Sequence, residues 1–324
     1  MTRPAVVAIG RNEGERLRRC IASVAGEASL VVYVDSGSTD GSLELARSSG
    51  ASVVELDLAL PFTAARARNE GLRRVCELAP DTAYVQFVDG DCEVIASWLP
   101  RAIDFLQSHP EAAAACGRRR ERHPERSVYN MMCDLEWNTP IGPARACGGD
   151  VMMRVAALKE VGGYRDALIA GEEPELCVRL RAKGWQVWRL DAEMTLHDAA
   201  LLRFGQWWKR TLRGGYAFAE GARLHGAPPE RHWVRESRSA WLWGVAVPVV
   251  LCAVTWRFGP VALLAWAVYP LQVLRLSLRG PEPLKVRAVR ATFLMLGKFA
   301  EAAGQLKYLL HRLAGVRGRI IEYK

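Results

Sequence analysis

The chain has 324 residues, half of them hydrophobic, and a formal net charge of +9, which allows one large α/β domain with an appendage. Its eight cysteines (Cys20, Cys76, Cys92, Cys116, Cys133, Cys147, Cys177 and Cys252) are scattered without a C-x-x-C pair, which argues against zinc and suits a reducing compartment. The basic balance fits nucleic acid, an anionic membrane face or an anionic small substrate, and the positions of the arginines and lysines decide among these.

Met1-Thr2-Arg3-Pro4 leads directly into Ala5 to Ile9, an apolar run that reads as a first strand. No signal-peptide pattern is present, so this domain is expected in the cytoplasm. Gly10-Arg11-Asn12-Glu13-Gly14 follows as a turn, and Leu17, Cys20, Ile21 and Val24 recur at helical spacing. Leu30 to Val34 is a second strand and ends in Asp35-Ser36-Gly37-Ser38-Thr39-Asp40-Gly41-Ser42, a loop of small polar residues. Asp40 or Ser38 can simply cap the next helix. Asp35, at the strand tip, can accept the N–H of a pyrimidine base. A helix from about Leu43 to Ser49 and a strand at Ser52 to Glu55 come next. Such alternation predicts a parallel sheet with right-handed crossovers, whose ligands bind beyond the carboxyl ends of the strands. Ala64 to Gly71 opens another helix, whose Arg66 and Arg68 either meet a nucleotide or lie on a solvated face.

Val85-Gln86-Phe87-Val88-Asp89-Gly90-Asp91 reads as a buried strand ending in two carboxylates. Side chains repeat every second residue along a strand, so Asp89 and Asp91 share a face. Two hard oxygen ligands so placed can hold Mg²⁺ or Mn²⁺ against a diphosphate. A lone D-x-D is also common as a solvated acidic turn, so its surroundings decide.

Those surroundings carry a resemblance. The order V-V-A-I-G-R-N-E, V-D-S-G-S-T-D-G-S, A-R-A-R-N-E-G, V-D-G-D resembles the family 2 glycosyltransferases of GT-A fold, over about residues 4 to 220. The resemblance implies an α/β fold with a mainly parallel central sheet and an inverting sugar transfer from a nucleotide sugar. It also implies that the first strand end (Asn12, Glu13) and Asp35 hold the nucleoside, and that Asp89 and Asp91 form the metal and diphosphate motif.

Further along, Trp98 to Leu106 reads as a helix and Ala112 to Gly117 as a strand. The basic run Gly117 to His123 reads as a solvated loop, or else as contact with an anionic acceptor or lipid. Ser127 to Ala144, with Tyr129, Trp137 and Pro140, reads as a loop-rich acceptor region. Cys147 to Met153 carries a strand signal; Gly148 and Gly149 allow a sugar or phosphate close to the backbone and resemble the family's donor-sugar segment. Gly171-Glu172-Glu173-Pro174-Glu175 starts a helix in which Pro174 suits the first turn and Glu175 can pair with Arg179. The family usually has Glu-Asp here, the Asp being the general base; this chain has Glu173 instead, and Glu172 stays open as the alternative. Trp185 to Leu190 reads as a strand, followed by Met194 to Asp198. A lone His is more often structural, but the resemblance implies a third contact to metal or diphosphate at His197.

Phe204 to Arg210 and Arg213 to Tyr216 mix aromatic and basic residues, as a membrane surface favours. This region resembles but does not match the Q-x-x-R-W motif of processive members, so processive synthesis is not supported. Ser239 to Trp256 and Phe258 to Leu274 lack charged residues, with Arg257 and Gly259-Pro260 between them and arginines on both outer flanks. This predicts a hairpin with both ends cytoplasmic, against the alternative of a buried or re-entrant pair. Leu284 to Gly315 reads as an amphipathic helix on the membrane surface. The expected organisation is a catalytic domain over 1–228, a two-helix transmembrane hairpin over 229–283 and a surface helix and tail over 284–324. Taken together these features predict a glycosyltransferase on the cytoplasmic membrane, its catalytic domain facing the cytoplasm. It would use Mg²⁺ or Mn²⁺ with a nucleotide-sugar donor and a lipid-linked or saccharide acceptor in polysaccharide or glycolipid synthesis. Membrane lipids, and not nucleic acid, are the expected contact of the basic residues. A nucleotidyltransferase is the competing enzyme, although Gly10 to Glu13 is not its Gly-rich phosphate loop; a catalytically degenerate membrane scaffold is the competing non-enzyme.

Overall fold

The computed structural model describes residues 2–316, 318 and 321. They form two compact units, Met1–Leu202 and Arg203–Lys324.

The first unit alternates strands and helices as the apolar runs require. In chain order these are β1 (Ala5–Gly10), α1 (Glu15–Val24), β2 (Leu30–Asp35), α2 (Ser42–Ser48), β3 (Ser52–Glu55), α3 (Ala64–Leu78), β4 (Tyr84–Asp89), β5 (Cys92–Val94) and α4 (Trp98–Ser108). Then follow β6 (Ala112–Glu121), α5 (Val128–Glu136), β7 (Gly142–Pro143), β8 (Val151–Arg154), α6 (Val155–Glu160), α7 (Glu172–Ala182) and β9 (Gln186–His197). One nine-stranded sheet runs β3-β2-β1-β4-β8-β6-β9-β5, with β7 paired to β9. Six strands share one direction; β8, β5 and β7 oppose them. The chain moves outward from β1 through β2 to β3 and then returns to place β4 on the other side of β1. That reversal opens a crevice at the carboxyl ends of β1 and β4, where open α/β sheets bind ligands. Gly90, just past β4, donates its N–H to the Ile9 carbonyl at 2.8 Å, so the D-G-D turn sits on the end of β1.

The core fills the sheet faces. Val6, Val7, Val85 and Phe87 have no exposed surface. Gly71 lets α3 lie close on the sheet: a Cβ there would collide with Val7. Phe87 meets Tyr164 edge-on at 5.4 Å.

Four stretches differ from the sequence reading. The basic run 117–123 is largely strand, not a solvated loop: β6 continues to Glu121, and Arg118 is paired to Asp134 at 2.9 Å. Ser127 to Ala144 contains the helix α5, with Ser127 accepting from the Asn130 N–H as its cap. The strand expected over Cys147 to Met153 begins only at Val151, leaving Gly148 and Gly149 in a loop. Trp185 to Leu190 and Met194 to Asp198 fall largely on one strand, β9.

The second unit comprises α8 (Phe204–His225), α9 (Val234–Trp241), α10 (Val247–Phe258), α11 (Val268–Ser277) and α12 (Leu284–Leu313), with a π turn at Leu242–Ala246 and a 3₁₀ segment at Pro260–Ala267. α8 and α12 approach backbone to backbone at Gly215 and Gly304, where any Cβ would collide with the partner helix. That packing groups α8 with the C-terminal helices, and the compact units divide after Leu202. The buried seam of α12 consists of Ala291, Met295, Gly297, Ala300, Ala302, Gly304, Gln305 and Tyr308; Leu296, Leu306 and Leu309 point outward instead. Val234–Phe258 (25 residues, mean hydropathy 1.7) and Pro260–Ser277 (18 residues, 1.3) are long and apolar enough to cross a membrane, by length and composition. Only 11% and 6% of their most apolar windows are buried, unlike the core helix of a soluble protein. Pro248 has no N–H to give the carbonyl four residues back, which belongs to Gly244 within the π turn that ends at Ala246.

Candidate active site

The two loops after β1 and β2 are tied into one surface. The Asn12 N–H donates to Ser38 Oγ at 2.9 Å, the Thr39 N–H to Asn12 Oδ1 at 2.8 Å and the Gly14 N–H to Ser42 Oγ at 3.0 Å. Asn12 adopts a left-handed conformation (φ 56°), which its short polar side chain tolerates. Asp35 is buried at the strand tip and organises this loop. Its Oδ2 accepts the N–H groups of Gly37 and Ser38, and its Oδ1 accepts the hydroxyls of Tyr33 and Ser38. Burial and then the Asp35 charge push the Tyr33 hydroxyl well up. Asp40 accepts from the Ser42 N–H and hydroxyl, but it is not the helix cap: Gly41, in the left-handed conformation, holds that position in front of α2. Glu13 pairs with Arg16 at 2.8 Å and lies against Gly90, where a Cβ would come within 3.2 Å of its Cγ. Arg66 is not brought to the carboxylates: its guanidinium donates to the main-chain carbonyls of Asp57, Leu60 and Pro61.

At the end of β4 the charges converge. Arg68, only 3% exposed in its side chain, spans Asp89 Oδ1 at 2.9 Å and Glu172 Oε1 at 2.6 Å. Arg119 reaches Asp89 Oδ2 at 3.2 Å, Cys92 Sγ at 3.4 Å and Asp150 Oδ2 at 3.5 Å, and its guanidinium lies over Trp137 at 4.8 Å. Burial works to raise the Asp89 carboxyl, but Arg68 and Arg119 outweigh it and hold it below its usual range. Burial likewise opposes charge on both arginines; Asp89 and Glu172 outweigh it at Arg68, and Asp150, Cys92 and Asp89 at Arg119. Asp150 has no exposed surface; it accepts the Asp89 N–H at 3.0 Å and the Thr195 hydroxyl at 2.7 Å.

Asp91 faces the other way along the turn, with its Oδ2 3.2 Å from His197 Nε2. The His197 ring meets Trp137 edge-on at 4.8 Å. Two sets of donor atoms are close enough to share a cation: Asp91, Cys92 and His197, and Asp89, Cys92 and Asp150. Arg119 contacts every member of the second set, so a guanidinium already supplies the positive charge there. The first set offers a carboxylate, an imidazole and the Cys92 sulfur; burial holds that thiol protonated, which leaves Asp91 and His197 as the donors a divalent cation could use.

Gly149 packs against the Arg68–Asp89 pair: a Cβ would lie 2.5 Å from Arg68 Nη2 and 3.2 Å from Asp89 Oδ2. Gly148 faces open space. α7 begins at Glu172 after Gly171 in the left-handed conformation (φ 75°). Glu172 is tied to Arg68, whereas Glu173 has no hydrogen-bond or ion-pair partner among the described residues. Burial first, and then the neighbouring Glu172 charge, push the Glu173 carboxyl well above its ordinary value. Glu175 pairs with Arg179, as the spacing predicts, and with Arg165 on a nearby loop.

The structure therefore gathers Arg68, Asp89, Asp91, Gly149, Glu172, Glu173 and His197 from five segments, and adds Asp150, which the sequence did not single out, together with Arg119 and Trp137, which it placed only in a basic run and an acceptor region. Arg119 carried one signal. Consecutive residues of an extended strand point to opposite faces, so three arginines in a row cannot all be solvated on one side.

The chain is similar to several known proteins. Residues 6–159 match the family model described as glycosyl transferase family 2. The glycosyltransferase AglE of Haloferax volcanii is 22% identical over 226 residues, covering 63% of this chain and 69% of that protein. A TPR repeat-containing protein of Synechococcus elongatus is 30% identical over 141 residues, 43% of this chain; the match spans 33% of that protein's length. Among solved structures, the mannosyltransferase PcManGT of Pyrobaculum calidifontis, in complex with GDP-Man and Mn²⁺, aligns with a TM-score of 0.65 at 18% identity, covering 94% of this chain and 88% of that one. TarS 1–349 of S. aureus aligns with a TM-score of 0.53 at 14% identity, covering 97% and 92%. The fold is the GT-A glycosyltransferase fold, with a mixed sheet of mostly parallel strands and a C-terminal helical region.

Proposed function

We propose that this chain is a metal-dependent, inverting glycosyltransferase that moves a sugar from a nucleotide sugar to an acceptor hydroxyl at a membrane. The observation that carries the reading is the charge arrangement at the sheet's switch point. Asp91 and His197 stand on one side of the D-G-D turn, two buried arginines on the other, and an unpartnered Glu173 nearby. The match of residues 6–159 to the glycosyltransferase family and the GDP-Man and Mn²⁺ bound in PcManGT support the same reading.

Asn12, Glu13 and Asp35 border the tied loops where the nucleoside would rest. Asp91 and His197 would hold the divalent cation. When bound, that cation supplies positive charge to a leaving diphosphate. Arg68 and Arg119 would add fixed positive charge beside it, preorganised by Asp89, Asp150 and Glu172. Gly148 leaves the backbone bare for the donor sugar, and Gly149 lets the same loop close on the Arg68–Asp89 pair. Glu173, and not Glu172, is the general base: Glu172 is committed to Arg68, while burial and the Glu172 charge raise the Glu173 carboxyl and so make it the more basic of the two partners available to an acceptor hydroxyl. The acceptor oxygen forms its bond to the anomeric carbon as its proton passes to Glu173. The bond to the diphosphate oxygen breaks from the opposite face and its electron pair leaves with the diphosphate. One displacement inverts the anomeric carbon.

The two apolar helices of the second unit would anchor the chain in the cytoplasmic membrane, which makes a lipid-linked acceptor the leading choice over a free saccharide. The test is a panel of nucleotide sugars given to the detergent-solubilised chain with Mn²⁺ or Mg²⁺ and membrane lipid extract as acceptor source. The expected result is release of a nucleoside diphosphate from one donor, with inverted product by NMR. Release of pyrophosphate would mean a nucleotidyltransferase, and neither release nor donor binding a degenerate scaffold.

A further inference from the structure

The turn between α11 and α12 holds a groove that the catalytic reading does not use. Three arginines, Arg279, Arg287 and Arg290, line it together with Leu276, Gly280 and Leu294. Its volume is about 240 Å³, room for a phosphate headgroup but less than the usual pocket for a whole nucleotide sugar. Arg287 Nη1 donates to the Gly280 carbonyl at 3.3 Å, while its Nε is buried without a hydrogen-bond partner among the described residues. Arg290 reaches Glu282 Oε1 at 3.4 Å, and the other Glu282 oxygen is buried and unpartnered beside Gly280. Three guanidiniums against one carboxylate leave a net positive groove with donors to spare. A buried guanidinium N–H without an acceptor is costly, and an oxyanion would relieve it.

The position of the groove indicates where that oxyanion comes from. Leu276 lies at the end of the apolar stretch Pro260–Ser277, and Leu294 is 44% exposed on α12. An apolar wall therefore leads up to a ring of arginines at the level where an apolar helix ends, which is where phosphate headgroups lie. We propose that this groove binds the phosphate of an anionic membrane lipid, the guanidiniums taking its oxygens and Leu276 and Leu294 the start of its acyl chain. This rests on the membrane reading of the apolar helices.

The test is calorimetric titration of the full chain, held in a neutral detergent, with short-chain phosphatidylglycerol, short-chain phosphatidylcholine and glycerol phosphate. Phosphatidylglycerol should bind saturably, phosphatidylcholine should not, and glycerol phosphate should bind about ten-fold more weakly or worse. The double variant Arg287→Gln/Arg290→Gln should lose about ten-fold or more in phosphatidylglycerol affinity, the scale of a lost charge-assisted hydrogen bond. Arg279→Gln, at an exposed position that the fold does not depend on, should lose at least about three-fold. Unchanged affinity in both variants, or equal binding of the two lipids, would overturn the proposal. Glycerol phosphate binding as tightly as the lipid would overturn the lipid as the source. Fractionation of cells separates this from the underlying reading: a chain recovered in the soluble fraction would overturn the membrane assignment and the lipid source with it. A chain retained in membranes but indifferent to these arginines would overturn the groove alone.

Discussion

Replacing Arg68 by Met, which keeps the length of the side chain and removes the charge, should unfold the first unit more than it alters its shape. Arg68 is 3% exposed in its side chain and holds two carboxylates at once, Asp89 and Glu172. Removing one partner from a buried ion pair typically costs about 3–5 kcal/mol, because the remaining charge is stranded. Here the lower end applies: the Asp89 side chain is 30% exposed and keeps Arg119, so about 3 kcal/mol is expected, mostly from Glu172. For a unit of this size that lowers the melting temperature by about 6–12 °C, read by near-UV circular dichroism at pH 7. The pH dependence has a definite sign. Arg68 and Arg119 hold the Asp89 carboxyl below its ordinary value of about 3.9, so the stability from this pairing is present above that pH and is lost as the pH falls through the depressed value. The gap between wild type and variant should therefore be full at neutrality and shrink below about pH 4. Adding Glu172→Gln should recover part of the loss by removing one stranded charge. A variant melting within about 1 °C of wild type at pH 7 would refute the reasoning, since even 1 kcal/mol would move a unit of this size by about 2–4 °C.

Three further outcomes are expected. Glu173→Gln should lower turnover by about 10²–10⁴-fold, the usual contribution of a general base, while donor affinity by calorimetry stays within about two-fold. The wild-type rate should rise with pH through the elevated Glu173 value, so the acid limb of the rate profile lies above the ordinary glutamate value of about 4.3; ionising that buried carboxyl also opposes folding, so Glu173→Gln should melt no lower than wild type at pH 8. Gly149→Ala should reduce transfer at least about ten-fold because its Cβ meets the Arg68–Asp89 pair, whereas Gly148→Ala, facing open space, should stay within about three-fold; parallel rate measurements decide.

The strands that build the crevice were legible because their apolar runs are short, regular and bounded by turn residues. Asp89 and Asp91 were legible as carboxylates at a strand end, but the shared face was not: β4 stops at Asp89, and beyond it the turn sends Asp91 to His197 while Asp89 meets Arg68 and Arg119. The rest was hidden for identifiable reasons. α5 buries only Asn130 and Cys133, so it shows no apolar stripe for a helical period to reveal. β9 carries Arg189, Asp191 and Glu193 in its middle, which breaks the apolar run of a single strand into two fragments. Arg119 is a long-range partner: its burial makes sense only once Asp89 and Asp150, 30 and 31 residues away on other strands and loops, are beside it. Asp35 and Arg66 show the converse limit. Their local partners could not be read from the sequence: loop N–H and hydroxyl groups surround Asp35, and main-chain carbonyls surround Arg66. In α12 the packed seam is mostly Ala and Gly, joined by Met295, Gln305 and Tyr308 and not by the leucines, because close helix contact selects small side chains that a search for apolar periodicity passes over.

The most direct test of the central claim is Mn²⁺ binding followed by electron paramagnetic resonance, with and without a nucleoside diphosphate, in the wild type and in Asp91→Asn. The account predicts saturable Mn²⁺ binding that the nucleotide strengthens and that Asp91→Asn abolishes while the melting temperature holds. Nucleotide-strengthened Mn²⁺ binding of wild-type affinity in the folded Asp91→Asn variant would contradict it, and would remove the D-G-D turn from the catalytic centre.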